Sequence, residues 1–230
     1  MRKAKAMENG GAAVTLVGGG PVEREDLEEA VAIAPCIVAA DGGARHVLEA
    51  GLMPERVIGD MDSLDDATRA GIDATRLCHV DEQDSTDFEK CLSRIKAPLV
   101  IGLGFMGGRA DHTLAAMSVL ARLGGPHLLI GAEDLCFAAG PGATVVDLAP
   151  GTRVSLFPLA SVTGRSQGLE WPIDGIDFAP DGRIGTSNRA TGAVRLDLNG
   201  RGMLVILPRA CLAEALAAVG AGPFAMAPRT

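Results

Sequence analysis

Apolar and polar positions alternate with two different periods in the first part of the chain. Short apolar runs, which predict buried strands, occupy residues 14–17, 36–40, 57–58, 99–102 and 128–131. Stretches with the spacing of helices lie between them, at residues 25–34, 44–50, 86–95 and 112–123. Because strands that alternate with helices form parallel sheets, this order predicts a doubly wound, mostly parallel α/β domain over residues 13–139.

The pattern changes after residue 139, where glycine and proline separate short strand-like runs. Residues 153–159 and 194–198 are runs of this kind, and a short helix is predicted at 212–219. A high density of turn residues between short strands is typical of an all-β module. We therefore predict a second, β-rich domain over residues 140–230, and a disordered N-terminus over residues 1–12.

Composition agrees with a folded protein and narrows its partners. Hydrophobic residues make up 47% and charged residues 22% of the chain, which is enough to bury a core. The net charge is -8 and basic residues do not cluster, so nucleic acid is not expected as a partner. An anionic substrate would need a metal ion or local donors. No apolar run has the length of a membrane span or a signal peptide core, so we expect a cytoplasmic protein that does not bind membranes.

Glycines and an aspartate follow the first two predicted strands. Residues 18–20 are all glycine, but Glu23 stands where the dinucleotide fingerprint needs its third glycine, so a hydride-transfer enzyme is poorly supported. Asp41, Gly42 and Gly43 end the second strand and open the next helix. Backbone amides there could approach a phosphate or a ribose closely. The alternative is that Asp41 only caps the helix.

Two carboxylates, Asp60 and Asp62, follow the third predicted strand. They can turn toward one point if Met61 faces away, as alternation in an extended chain requires. Hard oxygen ligands of this kind suit Mg²⁺, which leaves its other positions for water and substrate phosphates. A surface turn rich in aspartate is the alternative, and the metal site is the favoured interpretation.

Polar residues surround the start of the next predicted helix. Thr86 and Glu89 form a capping box, which explains these two residues without any function. Asp84, Asp87 and Lys90 recur at a spacing of three, which places them on one side of the first turns. A carboxylate beside an ammonium suits a metal-triphosphate complex, because the acid can hold the metal while the lysine meets a phosphate oxygen.

A glycine-rich loop at residues 102–109 leads into the last predicted helix of this domain. It is not a Walker loop, because the Gly-Lys-Ser/Thr ending is missing. Arg109 could bind a phosphate through two N–H groups, and Asp111 could cap the helix while facing the site. We interpret His112 as a packed or capping residue rather than a ligand.

The ordered motifs give the chain a resemblance to a known family. They are Asp-Gly-Gly-Ala at 41–44, Gly-Asp-x-Asp-Ser at 59–63, Gln-Asp-x-Thr-Asp-x-x-Lys at 83–90 and Gly-Gly-Arg-x-Asp-His-Thr at 107–113. In these motifs the chain resembles the thiamine pyrophosphokinase family. The β-rich half is similar to the thiamine-binding module of that family at residues 168–173 and 185–188.

This resemblance implies a fold, an activity and an assembly. The implied fold is an N-terminal α/β catalytic domain followed by a C-terminal β-sandwich. The implied enzyme transfers a pyrophosphoryl group from ATP to the hydroxyl of thiamine and needs Mg²⁺. The implied assembly is a homodimer in which thiamine lies between the catalytic domain of one subunit and the β domain of the other.

The resemblance also implies roles for individual residues. The expected ligands of Mg²⁺ are Asp60, Asp62 and Asp87, and the expected catalytic residues are these three together with Asp111. The residues expected to bind ATP are Asp41, Gly42, Gly43, Gln83, Thr86, Lys90 and Arg109. The residues expected to bind thiamine are Trp171, Thr186, Ser187 and Asn188.

The thiamine-binding set leaves structural alternatives open. Trp171 is the single tryptophan, and its ring could attract the flat thiamine cation by about 0.5 to 2 kcal/mol, or it could fill the core of the β domain. Ser187 and Asn188 could bind the pyrimidine, or they could only form a turn. Glu170, and Arg189 and Ala190 after Asn188, depart from the expected pattern, which leaves the edges of the pocket undefined.

Other functions remain as alternatives. A pyrophosphokinase of the same architecture that acts on a hydroxymethyl pterin would share the catalytic half. A non-catalytic sensor of thiamine or nucleotide would not need five acids around a phosphate. A protein without any ligand is disfavoured, because carboxylates gathered at strand ends repel one another unless a cation is present.

Overall fold

The computed structural model describes residues 11–82 and 84–221, and the chain has a mixed α/β fold. It divides into two compact units, Met1–Ala116 and Met117–Thr230. Most of the segment expected to be disordered, and Gln83, lie outside the described residues.

Strands and helices alternate in the first unit, as the sequence pattern predicts. In chain order they are β1 (Val14–Val17), α1 (Arg24–Ile33), β2 (Cys36–Ala40), α2 (Gly43–Glu49), β3 (Arg56–Gly59), α3 (Asp66–Ala70), β4 (Leu77–His79), α4 (Asp87–Leu92) and β5 (Val100–Leu103). The next helix, α5 (Ala110–Leu123), crosses the division between the units.

The strands of the first unit pair in parallel. β1 pairs with β5, and the order β2-β3-β4 forms a further parallel group. All residues of β1 and β5 are buried, as are nearly all residues of β2 and β3. Strands buried on both faces need continuous apolar runs, which is why the sequence signal for these strands is clear.

The second unit contains an antiparallel sheet. Its elements are β6 (His127–Ile130), β7 (Asp134–Ala139), β8 (Gly142–Val146), β9 (Arg153–Pro158), β10 (Gly164–Leu169), β11 (Gly185–Leu198), β12 (Met203–Pro208) and α6 (Leu212–Ala221). The strand order is β6-β7-β12-β9-β11-β10, and β8 also pairs with β11. β11 is long enough to pair with β9 in its first part and with β8 and β10 in its last part.

The sequence pattern misses several short elements. β4 has three residues and ends on a polar histidine, so it has no periodic signal. α3 has five residues and begins because the Asp65 carboxylate accepts a hydrogen bond of 2.8 Å from the Thr68 amide. β7, β8 and β10 also escape the pattern, because they lie in the turn-rich part of the chain.

The division between the compact units lies earlier than the expected domain boundary after residue 139. β6 pairs antiparallel with β7, with Leu128 opposite Phe137, and β7 pairs antiparallel with β12. These pairings group β6 and β7 with the β-rich part of the chain. The bounds 13–139 and 140–230 therefore stay a prediction about functional domains.

The helices give no candidate for a membrane span. Among the described residues, no helix combines the length and the apolar character that crossing a bilayer requires.

Replacing Gly168 by alanine tests the packing of β10 against β11. Gly168 has φ of +77°, and a Cβ atom there would lie 2.0 Å from the Ala193 carbonyl oxygen. We expect Gly168→Ala to lower the free energy of unfolding by at least about 2 kcal/mol, because it adds a backbone clash to the strain of a left-handed residue. Urea denaturation followed by circular dichroism measures this change.

The matched control is Gly175→Ala. Gly175 has nearly the same φ, +75°, but no atom lies within 4 Å of an added Cβ. This variant carries only the conformational cost of a left-handed alanine, about 1 kcal/mol. Equal losses of stability in the two variants would contradict a role for the close contact with Ala193.

Candidate active site

A cleft of about 970 Å³ opens in the first unit, where the parallel strands end. Its lining comes from the loops that follow β1, β2, β3 and β5, and from α2, α4 and α5. The residues of the expected ATP and metal set that line it are Gly42, Asp60, Thr86, Asp87, Lys90 and Arg109. The carboxyl ends of strands are the usual place for a ligand in an open α/β sheet, so the position agrees with the predicted site.

Glycines allow the loops around the cleft to approach one another closely. A Cβ atom on Gly43 would lie 2.0 Å from the Val17 carbonyl oxygen, and one on Gly18 would lie 2.7 Å from Phe105 Cε1. Gly43 is therefore required for packing of α2 on β1, and it does not line the cleft as Gly42 does.

Asp41 is an almost completely buried carboxylate at the end of β2. Its side chain is 1% exposed and its φ is +43°, a region that aspartate tolerates better than most residues. Oδ2 accepts a 3.2 Å hydrogen bond from the Ser63 amide, whereas Oδ1 receives no hydrogen bond from the described part of the chain. The N-cap position of α2 is Gly42, which has no side chain to cap the helix. The Asp41 side chain accepts its hydrogen bond from Ser63 instead. The alternative that Asp41 only caps the helix is therefore wrong.

Asp41, Asp60 and Asp62 form a carboxylate cluster. One oxygen from each of the three side chains lies within 4.8 Å of the others. Met61 is buried and has φ of +66°, so Asp60 and Asp62 converge through a left-handed residue and not through the alternation of an extended strand. The expected convergence is present, but the expected reason for it is wrong.

A buried ammonium lies beside this cluster. Lys90 is 3% exposed, and its Nζ donates to Asp60 Oδ2 at 2.9 Å and to Asp87 Oδ1 at 3.4 Å. The predicted neighbourhood of Asp87 and Lys90 is present. Asp84 lies outside it, because α4 begins only at Asp87 and Asp84 is exposed before the helix.

The environment moves the pKa values of two of these carboxyl groups in opposite directions. Burial, together with the neighbouring acids and against the hydrogen bond from Ser63, raises the pKa of Asp41 to about 6. The hydrogen bond from Lys90 lowers the pKa of Asp60 to about 2. Asp60 is therefore ionised at neutral pH, while the Asp41 carboxylate carries a cost of burial that its hydrogen bond does not offset.

Thr86 has two roles in the site. Its hydroxyl accepts a 3.3 Å hydrogen bond from the Glu89 amide, as the capping box predicts, and the residue also lines the cleft. The helix cap therefore fixes the start of α4, on which Asp87 and Lys90 lie.

Arg109 and Asp111 form an exposed ion pair at the start of α5. Arg109 Nε donates to Oδ1 at 3.1 Å and Nη2 donates to Oδ2 at 2.6 Å, and this pair lowers the pKa of Asp111 to about 2. α5 begins at Ala110, so Asp111 lies in the first turn and the expectation that it caps the helix is wrong. His112 is exposed in the cleft, so its interpretation as a packed residue is also wrong.

Sequence reasoning missed several residues that line the cleft. Arg45 and His46 lie in the first turn of α2, directly after the glycine pair, and that position was a usable signal. Phe105 lies in the glycine-rich loop, with its ring centroid 4.6 Å from that of the buried Phe88. No pattern in the sequence relates these two aromatic residues.

The expected thiamine-binding residues lie in the second unit. Trp171 is 51% exposed, so the alternative that it fills a core is wrong. Thr186 and Ser187 are exposed, whereas Asn188 is buried. Glu170 and Arg189, at the positions that depart from the expected pattern, form an ion pair of 3.6 Å.

Comparison with known proteins finds similarity to thiamine pyrophosphokinases. The family profile described as "Thiamin pyrophosphokinase, catalytic domain" matches residues 27–129. Thiamine pyrophosphokinase 1 of Oryza sativa subsp. japonica is 26% identical over 185 residues, which cover 66% of this chain and 70% of that protein. Thiamine pyrophosphokinase of Bacillus subtilis (strain 168) is 33% identical over 114 residues, which cover 46% of this chain and 53% of that protein.

Solved structures share the fold. Thiamin pyrophosphokinase from Candida albicans superposes with a TM-score of 0.71 at 16% identity, covering 85% of this chain and 90% of that one. Yeast thiamin pyrophosphokinase superposes with a TM-score of 0.71 at 18% identity, covering 87% and 88%. At this level of identity the likeness concerns the fold.

Replacing Asp41 by asparagine tests the cost of the buried carboxylate. The folded pKa of about 6 lies above the ordinary 3.8, so the contribution of Asp41 to stability is present below pH 3.8 and is lost as pH rises through 6. Asparagine keeps the shape without the charge. We therefore expect the free energy of unfolding of Asp41→Asn, relative to that of the wild type, to rise by about 2 kcal/mol from pH 4 to pH 8.

Urea unfolding of both proteins with a chelator, at pH 4 and pH 8, measures this difference. The control is Asp66→Asn, since Asp66 is an exposed acid on α3. If the free energy of unfolding depends on pH in the same way in the wild type and in Asp41→Asn, ionisation of the buried Asp41 does not destabilise the protein.

Proposed function

We propose that this chain, which belongs to the thiamine pyrophosphokinase family, transfers the pyrophosphoryl group of ATP to the hydroxyl of thiamine, giving thiamine diphosphate and AMP. The observation that carries the proposal is the cleft of the first unit, where Asp60, Asp87 and Lys90 meet the glycine loops. Its lining combines the groups that bind a nucleoside triphosphate: glycine backbone that can approach the phosphates closely, an ammonium, a guanidinium and carboxylates for a metal.

The carboxylate cluster of Asp41, Asp60 and Asp62, of which Asp60 lines the cleft, fits a magnesium ion. Three carboxylates offer oxygens within 4.8 Å of one another. The buried Asp41 Oδ1 lacks a hydrogen bond from the described residues, as expected for an atom that coordinates a cation. We propose that Asp60, Asp62 and Asp87 hold Mg²⁺, with Asp41 and Asp111 as companion acids. Bound there, the ion would neutralise negative charge on the phosphates of ATP.

Residues of the chain itself position the nucleotide. Lys90 keeps its ammonium in the cleft because it is buried between two carboxylates, and it is placed to meet a phosphate oxygen. The Asp111 carboxylate orients Arg109, whose remaining N–H donors are available to a phosphate. We further propose that Gly42, Gly43, Gln83 and Thr86 contact ATP, with Gly43 acting through the packing of the loop.

Proton transfer needs a carboxylate that can accept the hydroxyl proton of thiamine. Asp62 and Asp87 are the candidates: the Asp62 side chain is exposed, and that of Asp87 is 43% exposed. In the reaction the hydroxyl oxygen forms a bond to the β-phosphorus, the bond from that phosphorus to the α-phosphate oxygen breaks, and AMP leaves. Positioning and charge neutralisation provide most of the rate enhancement in such transfers.

The thiamine site and the assembly complete the proposal. Trp171 offers an exposed ring to the flat thiamine cation, and Thr186 and Ser187 offer exposed hydroxyl groups. We propose a cytoplasmic homodimer in which thiamine lies between the catalytic part of one subunit and the β part of the other. The finer architecture, a doubly wound catalytic domain and a β-sandwich, belongs to the same proposal.

Product analysis tests the activity. Incubation with Mg-ATP and thiamine is expected to give AMP and thiamine diphosphate in equal amounts. Chromatography of the reaction mixture measures both products. Asp62→Asn is expected to lower turnover at least about a hundredfold, because it removes a carboxylate from the cluster. Asp66→Asn is the control and is expected to keep wild-type turnover.

The pattern of products separates the alternatives. ADP with thiamine monophosphate would mean that the γ-phosphorus is attacked and would contradict the proposed transfer. Absence of any thiamine product, with turnover of a hydroxymethyl pterin, would favour the other pyrophosphokinase activity.

Thermal unfolding tests the metal site without any turnover. Magnesium alone, at ten times its dissociation constant, is expected to stabilise the wild type by about 1.4 kcal/mol, or roughly 3–6 °C in melting temperature. Asp62→Asn is expected to lose this rise while Asp66→Asn keeps it. A rise of the same size in Asp62→Asn would remove Asp62 from the metal site.

A further inference from the structure

The segment that carries Trp171 is tightly held although its ring is exposed. Trp171 lies between Leu169 and Ile173, which are both buried, and its own side chain is 51% exposed. The Ile173 amide donates to Ser166 Oγ at 3.0 Å, and the Glu170 amide donates to the Arg189 carbonyl oxygen at 2.8 Å. The backbone is therefore anchored on both sides of the indole.

Asn188 makes the contacts that anchor Trp171 itself. The Trp171 amide donates to Asn188 Oδ1 at 3.2 Å, and Asn188 Nδ2 donates to the Trp171 carbonyl oxygen at 2.7 Å. The Arg189 amide also donates to Oδ1, at 2.8 Å. The two contacts with Trp171 need an acceptor and a donor in fixed places, which only the amide of asparagine provides at this length.

A β-bulge in β11 directs Asn188 inward. Gly185 lies opposite Leu156 and Asn188 opposite Val154, so three steps along β11 face two steps along β9. The extra residue shifts the alternation of side chains by one. Ser187, inside the bulge, has φ of +61°, and its amide donates to Ser155 Oγ at 3.0 Å.

Asn188 is the first member of an inward-facing series on β11. After it, Ala190, Val194, Leu196 and Leu198 are buried. An amide placed among apolar residues is costly unless it is hydrogen-bonded, and the backbone of Trp171 supplies the partners. Both lone pairs of Oδ1 are used, and Nδ2 keeps one N–H, so the amide has little left for a substrate.

We infer that Asn188 is a positioning residue: its amide fixes the backbone of Trp171 and thereby the orientation of the indole toward a flat heteroaromatic cation, without touching that cation. This inference rests on the proposed function, in which the cation is thiamine. It replaces the expectation that Asn188 binds the pyrimidine directly. The exposed hydroxyl groups of Thr186 and Ser187 remain available for that contact.

The test is a double-mutant cycle of Asn188→Ala and Trp171→Phe in the full chain. We expect Asn188→Ala to raise the KM for thiamine about tenfold, with kcat and the KM for ATP within about twofold of the wild type. If Asn188 acts through Trp171, adding Asn188→Ala to Trp171→Phe changes the KM less than twofold further. If the double variant instead shows the product of the two single increases in the KM for thiamine, Asn188 contacts thiamine directly and the inference is overturned.

Fluorescence provides a second measurement, because Trp171 is the single tryptophan. Without any ligand, the steady-state anisotropy of Trp171 is expected to fall in Asn188→Ala, since the loss of two hydrogen bonds frees the segment. Unchanged anisotropy would overturn the inference even if the KM rises. If Asn188→Ala does not fold, Asn188→Asp keeps the shape but replaces the donor to the Trp171 carbonyl by a charged acceptor, and the KM and the anisotropy are expected to change in the same direction as in Asn188→Ala.

A matched control and a separate criterion complete the design. Asn199 Oδ1 accepts from the Thr163 amide at 2.9 Å in the same unit, so Asn199→Ala removes a comparable hydrogen bond away from Trp171 and is expected to leave the KM and the anisotropy unchanged. A wild-type KM for thiamine in Trp171→Phe would count against the proposed role of Trp171. The anisotropy of Asn188→Ala would still decide whether Asn188 orders the indole.

Discussion

The contact between the Lys90 ammonium and the carboxylates around it is the interaction on which the cleft depends. Asp41, Asp60 and Asp62 crowd three potential negative charges into a space of 4.8 Å, and such groups repel one another. Lys90 supplies a cation, with Nζ 2.9 Å from Asp60 Oδ2. It stays in place because α4 packs its buried residues Phe88 and Cys91 inward, with Cys91 Sγ 3.8 Å from the Ile58 carbonyl oxygen of β3. The position of the charge is thus set by hydrophobic packing.

The glycine loops add a backbone constraint to this electrostatic one. Gly43 packs against the end of β1, and Gly59 lies so close to Asp41 that an added Cβ would be 2.8 Å from the aspartate Cβ. Side chains at these positions would push the strand ends apart. The close approach of backbone therefore lets Asp41 and Asp60 lie in one cluster although they end different strands.

In the second unit a buried polar side chain likewise positions another group, here an aromatic ring. A bulge turns Asn188 into the sheet, and the buried amide holds the backbone of an exposed indole. Glu170 and Arg189, which look like irregular positions in the sequence, pair across the same two segments. In both units a buried polar group fixes the place of a group that is at least partly exposed to solvent.

The sequence by itself determined the strands and helices that have strong periodicity, the cap at Thr86 and the convergence of Asp60 with Asp62, because these features depend on neighbours along the chain. The tertiary structure decided that Asp41 joins these two acids and that Asn188 faces inward. It also decided that Lys90 is buried against Asp60, a contact between residues 30 positions apart. Such choices depend on how strands register and how helices pack, and those distances are absent from any local pattern.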